Sequence, residues 1–327
     1  MNLSRRPRRN RKSASVRTLV EETTLLAQDL VQPAFLLDSD SAREAVPSLP
    51  QIERLGLELM KQECDELLQN GIRGIALFPV FDDALKDDQG SVGLNAGNYF
   101  YQSLRELKQT FPELVFFVDV ALDPYTSHGY DGLLSADGEV DNDSTVDILC
   151  QISCLLAETG IDYVAPSDMM DGRVRAIRQA LDVAGHSSTG IMAYSAKYAS
   201  SCYGPFRDAV GSSKQNGYLD KQGYQLNPAN SREAIMELLL DTDEGADIVM
   251  VKPAGWYGDI ISASRSKLQI PIAAYQVSGE YAMIQAAAER GWMDLEAGRD
   301  ESLLSIKRAG ADLIFTYFAR CWNGNRS

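Results

Sequence analysis

The sequence predicts a (β/α)8 barrel with an extended N-terminal arm, on three observations. Eight apolar runs rich in β-branched and aromatic residues recur along the chain, stretches of helical periodicity lie between them, and 327 residues suffice for eight such units. Runs that are apolar throughout, joined by helical crossovers, indicate a parallel sheet covered on both faces. An open doubly wound sheet is the alternative, but no GxGxxG follows the first run.

Residues 1–30 read as the arm. The first twelve include Arg5, Arg6, Arg8, Arg9, Arg11 and Lys12 and no acid; taking those six charges from the net −15 leaves −21 for the rest. A basic arm without interleaved aromatics, beside an acidic body, points to one that wraps a neighbouring subunit, with a disordered tail that touches polyanions and a targeting segment as the alternatives. The barrel, residues 31–327, opens with strand Val31–Leu37, helix Ile52–Gln69 and strands Gly74–Val80 and Leu114–Leu122. Helix Val146–Glu158, strand Tyr163–Pro166, helix Arg173–Ala184 and strand Gly190–Tyr194 follow. Helix Ser231–Leu240, strands Ile248–Val251 and Pro271–Val277, helix Glu301–Ala309 and strand Leu313–Tyr317 complete the pattern. Asp168 and Asp171 are start signals for the Arg173 helix, and Asn230-Ser231 with Glu233 for the next.

Composition excludes several function classes. No apolar stretch approaches the roughly 20 residues of a membrane-spanning helix, and no apolar h-region follows the basic N-terminus. The five scattered cysteines, Cys64, Cys150, Cys154, Cys202 and Cys321, form no CxxC pair and fit a reducing compartment. A cytoplasmic protein acting on small molecules, with no nucleic acid and no membrane as partner, is the expectation. His128 and His186 are the only histidines, which excludes a His-built zinc site, and Cys150 with Cys154 reads as a core-facing helix pair.

In such a barrel, catalytic groups gather at the C-terminal ends of the strands, and here those ends are polar at six consecutive strands. The third ends in an acidic loop from Asp119 through Asp123 and His128 to Asp131, the fourth in Ser167, Asp168 and Asp171, the fifth near Lys197. The sixth ends at Lys252, the seventh in Gln276, Ser278 and Glu280, the eighth in Thr316 and Tyr317. A lysine buried at a strand end loses its proton more easily and becomes a nucleophile able to form a Schiff base with a ketone. Two such lysines, a carboxylate cluster and a hydroxyl on one rim are what imine chemistry with proton transfers requires. The longest connection, about 198–228, reads as a lid carrying Arg207 and Lys221, cations suited to a substrate carboxylate.

These residues carry a resemblance to a known family. The acidic loop from Asp119, APSDMMDGR from Ala165, MAYSAKYAS from Met192, YGPFRDAVGS from Tyr203, MVKPA from Met250 and AYQVSGEYAM from Ala274 resemble porphobilinogen synthase, also called 5-aminolevulinate dehydratase, and the similarity covers essentially the whole chain. The resemblance implies condensation of two 5-aminolevulinate molecules into porphobilinogen with loss of two waters. It implies that Lys252 forms the imine with the first, propionate-side substrate and Lys197 engages the second. Ser278 and Tyr317 would bind the first carboxylate, Arg207, Lys221 and Gln225 the second, with Tyr203 and Tyr275 lining the site. Asp119 and Asp123 would handle amine and proton transfers, while Asp131 either lines the site or shapes the loop. Relatives with active-site zinc carry three cysteines where Ala121, Asp123 and Asp131 stand here, so no catalytic zinc is expected. Glu237 matches an allosteric magnesium position of the family, with Asp168 and Asp171 as outer neighbours. A homo-octamer embraced by the arms is likewise implied.

The chain departs from the family pattern where Gln51, not glycine, follows Pro50, at Cys202, and at Gly255-Trp256-Tyr257. Another Schiff-base aldolase would need one lysine, and a silent scaffold would have lost strand-end groups that this chain keeps.

Overall fold

The structure, a computed structural model, describes residues 3–211, 220–322 and 324. Strands β1 (Leu30–Leu37), β2 (Arg43–Ala45), β3 (Glu53–Leu55), β4 (Gly74–Val80), β5 (Val115–Val120), β6 (Tyr163–Pro166), β7 (Gly190–Lys197), β8 (Ile248–Lys252), β9 (Ile272–Gln276) and β10 (Leu313–Thr316) form one sheet. Eight of them, β1 and β4 to β10, are parallel, each beside the next in sequence, and β10 returns to β1 through Leu30↔Ile314 and Val31↔Phe315. The sheet is thus a closed (β/α)8 barrel, as expected. Closure follows from burial on both faces: β1, β4 and β8 are buried at every position, so no edge of theirs tolerates water. Aromatic contacts such as Phe117 with Phe315, ring centres 5.3 Å apart, pack the strands against one another.

Helices α1 (Ala14–Leu19), α2 (Leu57–Gln69), α3 (Tyr99–Thr110), α4 (Asn142–Ala157), α5 (Arg173–Val183), α6 (Gly204–Val210), α7 (Arg232–Glu244), α8 (Gly258–Arg265), α9 (Ser278–Glu289) and α10 (Leu295–Ala309) complete the chain. In the arm, Pro7–Arg11 forms a 3-10 turn and α1 is capped by the Ser13 side chain; neither buries a residue. Asn98, Asp141 and Asp294 cap α3, α4 and α10 by accepting from backbone amides.

Three expectations need correction. The helix expected over 52–69 begins at Leu57, because Glu53–Leu55 is drawn into the sheet between β1 and β2. Gly56 makes the switch possible: a Cβ there would meet the Ser39 carbonyl oxygen at 2.5 Å. Asp168 and Asp171 do not cap α5, whose N-cap is Gly172, and Ser231 makes no side-chain cap, while Asn230 donates to Glu233 instead. Strand β7 extends past the expected Tyr194 to end at Lys197. Cys150 and Cys154, half-buried on α4, do pack against the core as expected.

The family departure at Gln51 acquires a reason for strain. Its φ is +63°, a left-handed conformation that glycine adopts freely and a Cβ disfavours.

Candidate active site

Lys197 and Lys252 are register partners at the ends of β7 and β8. At the start of the pair the offset is set by Met192↔Ile248 and Ala193↔Val249; continued unchanged it would align Lys197 with Pro253. One extra residue in β7 between Ala193 and Ala196 shifts the alignment to Lys197↔Lys252. Because side chains alternate across a strand, that single bulge decides which face Lys197 presents.

Lys252 is buried beneath aromatic rings. Its Nζ lies 4.5 Å from the centre of Tyr275, 4.9 Å from Tyr194, 5.0 Å from Phe206 and 5.4 Å from Tyr203. Burial pushes the ammonium from its ordinary 10.5 down to about 7, the Lys197 charge acts in the same direction, and Asp119, Asp123 and Asp131 oppose both. A neutral amine is therefore available near neutral pH. Lys197 donates to the Ser167 carbonyl oxygen and lies 3.5 Å from Asp131 Oδ1.

The carboxylates divide by environment. Burial raises Asp119 to about 7, reinforced by Asp123 and opposed by the two lysines. Burial likewise raises Asp123. For Asp131 burial is outweighed by Lys197, Lys221 and the Tyr224 hydroxyl, which hold it well below the ordinary 3.8. Tyr224 donates to Asp131 Oδ2 at 2.6 Å and Lys221 Nζ lies 3.0 Å from the same oxygen, with Asp123 3.6 Å from Lys221. Asp131 is thus held toward its anionic form, while Asp119 keeps its proton to a higher pH than a free carboxyl.

The expected lid is divided. Residues 212–219 lie outside the described residues, while Arg207 on α6, Lys221 and Gln225 face the lysines with Tyr203 and Phe206. The space these residues share with Asp119, Asp123, Asp131, Lys197 and Lys252 is a cavity of about 20 Å³. Lys221 is buried and already paired with carboxylates, rather than waiting in solvent as a lid cation would.

Ser278 opens α9 and is fully buried. Its Oγ accepts from the Phe206 amide at 2.9 Å and lies 3.4 Å from the Cys202 carbonyl oxygen, so it joins the base of the lid to the barrel. Tyr317 and Tyr275 share a hydrogen bond of 3.2 Å, and Tyr203 donates to the Lys252 carbonyl oxygen at 3.2 Å. Ser167, named as a strand-end residue, proves to hold Lys197 through its carbonyl. Three contributors escaped the sequence reading, Tyr194, Phe206 and Tyr224; nothing local marks them, and they act through contacts from distant segments.

Glu237 lies elsewhere, half-buried on α7, in a groove it shares with Asp171, Glu233 and Glu139. Burial raises its carboxyl, with Asp241, Asp171 and Glu233 adding to the effect and Arg173 opposing it. Asp168 does not open to that groove: it is fully buried against Arg173, which also grips Asp241 at 3.0 and 3.1 Å. Among the described residues no helix is long and apolar enough to cross a membrane.

Comparison with known proteins agrees with this geometry. A family model described as delta-aminolevulinic acid dehydratase matches residues 4–323. A delta-aminolevulinic acid dehydratase of Chlamydia pneumoniae is 51% identical over 319 residues, covering 98% of this chain and 95% of the relative. One from Bradyrhizobium diazoefficiens is 50% identical over 320 residues, covering 98% and 90%. Among solved structures, the Toxoplasma gondii enzyme in complex with its reaction product porphobilinogen superposes with a TM-score of 0.94 at 45% identity, covering 97% of this chain and 90% of that one. With a barrel closed in sequence order, two buried lysines in register and a family match over nearly its full length, the chain belongs to the delta-aminolevulinic acid dehydratase family.

Proposed function

We propose that Lys252 and Lys197 carry the reaction of this chain, the condensation of two 5-aminolevulinate molecules to porphobilinogen with loss of two waters. The observation that supports this most is the register pairing of two buried lysines, one with its amine pushed down to about 7. Lys252 attacks the ketone of the first substrate, and the lost water carries away the ketone oxygen. Lys197, beside the Ser167 carbonyl and Asp131, engages the second ketone. Asp119, near 7, takes and returns protons between these steps, and Asp123 assists. Ser278 and Tyr317 take the first carboxylate, while Arg207, Lys221 and Gln225 take the second. Tyr203 and Tyr275 wall off the imine from water. Because the enclosed space is so small, substrate entry requires Arg207, Lys221 and Gln225 to move outward and close again.

We propose no catalytic zinc: the positions of the family's thiolates are Ala121, Asp123 and Asp131, and the latter two are held in ion pairs with Lys221. Glu237 fits magnesium instead, as one carboxylate with room for retained waters in a negative groove. The basic arm, residues 1–30, embraces a neighbouring subunit in an octamer, and the protein works in the cytoplasm. Porphobilinogen formation by the purified chain, in excess chelator and again with added magnesium, tests the reading. Product under both conditions, increased by magnesium in the unaltered chain but not in Glu237→Ala, is the expected result. No product under either condition would overturn the residue assignments.

A further inference from the structure

The buried acid Glu280 has no part in the mechanism above. Its two oxygens reach two separate segments: Oε1 accepts from the Gly255 amide at 2.7 Å and Oε2 from the Val277 amide at 2.8 Å. The amides of Ala254 and Trp256 also act on it. The first segment is the loop that leaves Lys252, and the second is the turn that presents Ser278. We propose that Glu280 is a positioning residue for the reaction, its carboxylate fixing the imine lysine relative to the hydroxyl that receives the same substrate's carboxylate. This rests on the roles given above to Lys252 and Ser278.

The packing around Glu280 leaves little slack. A Cβ on Gly255 would lie 2.6 Å from Glu280 Oε1, so the carboxylate would have to shift to admit one. On the other side, a Cβ on Gly279 would lie 2.6 Å from the Cys202 carbonyl oxygen, so the same turn is pressed onto the base of the lid. Burying a carboxylate is costly unless several donors converge on it, and here the donors are backbone amides of the two segments. Burial still pushes the acid up to about 7 against their pull. A displaced Lys252 would meet a ketone whose far end is anchored at Ser278 in the wrong orientation, and misplacements of about 1 Å suffice to slow such reactions about a hundredfold.

Glu280→Gln conserves shape but sets an amide group against one of the two N–H donors, breaking one tie. Gly255→Ala strains the other tie without touching the acid. The full chain and both variants are incubated with 5-aminolevulinate and borohydride, and the reduced adduct at Lys252 is measured by peptide mass spectrometry, with melting curves and steady-state kinetics in parallel. In a folded variant, a Lys252 adduct reduced about tenfold or more, with a matching rise in KM, supports the proposal. An undiminished adduct and unchanged KM in a folded Glu280→Gln overturns it while leaving the Lys252 assignment intact. Should Glu280→Gln fail to fold, Gly255→Ala supplies the same two readouts. A full chain with no adduct at Lys252 overturns the assignment and this proposal together.

Discussion

Lys197 and Lys252 face each other across adjacent parallel strands because β7 holds one residue more than β8 over the same span. The two amines therefore share one buried space, and the Lys197 charge makes the Lys252 ammonium harder to keep. Burial, with the Lys197 charge acting in the same direction, brings the Lys252 amine down to about 7.

Replacing Lys252 by methionine should abolish product formation, by about a thousandfold or more, yet stabilise the fold. In the folded chain the amine releases its proton near 7, whereas in the unfolded chain it keeps it to about its ordinary 10.5. The unfolded state thus binds the extra proton between those values, so this lysine's destabilising effect is full below about 7 and fades as pH rises toward 10. The gain in Lys252→Met should be about 1–2 kcal/mol at pH 6 and small at pH 10, read by urea unfolding. A variant less stable than the parent at pH 6 would contradict the buried-amine assignment.

Activity should follow the same group. The rate constant kcat/KM should rise with pH through about 7, as Lys252 loses its proton and becomes nucleophilic. A profile flat between pH 6 and 8 would exclude that amine as the attacking group.

Tyr224→Phe removes the hydrogen bond that helps hold Asp131 ionised. A bond to a charged group contributes about 1.5–3 kcal/mol, and the same Asp131 oxygen also holds Lys221 at 3.0 Å. Stability should fall by about that amount and KM should rise more than kcat falls, as steady-state kinetics would show. A change in kcat alone would place Tyr224 in the chemistry rather than in the lid.

Arg173→Met leaves Asp168 and Asp241 buried without their shared cation. Loss of one member of a buried ionic group costs about 3–5 kcal/mol, so the variant should melt far below the parent. A loss under about 1 kcal/mol by denaturant titration would show that the triad is not held as an ionic unit.

At Gln51 the left-handed backbone should accept glycine without loss, whereas valine, branched at Cβ, should cost about 1–2 kcal/mol. The turn is fastened to α9 by Tyr281 donating to the Pro50 carbonyl oxygen at 2.8 Å, so it cannot relax freely. Equal melting temperatures for the two variants would refute the strain.

The barrel and its rim were legible in the sequence, because burial on both faces forces apolar runs and because lysines and carboxylates at strand ends are read one position at a time. Asp119, Asp123, Lys197 and Lys252 were named that way, Arg207 and Lys221 from the long lid connection and Gln225 from the family resemblance, and the structure brings them to one space. What no local pattern could supply was pairing across the chain. The β7 bulge that turns Lys197 inward, the recruitment of Glu53–Leu55 into the sheet, the Tyr224 grip on Asp131 and the bond from the Phe206 amide to Ser278 each join segments distant in sequence. Periodicity reports which face of an element is buried; it cannot report what lies against that face, since register and partner are chosen by the free energy of the whole packed fold.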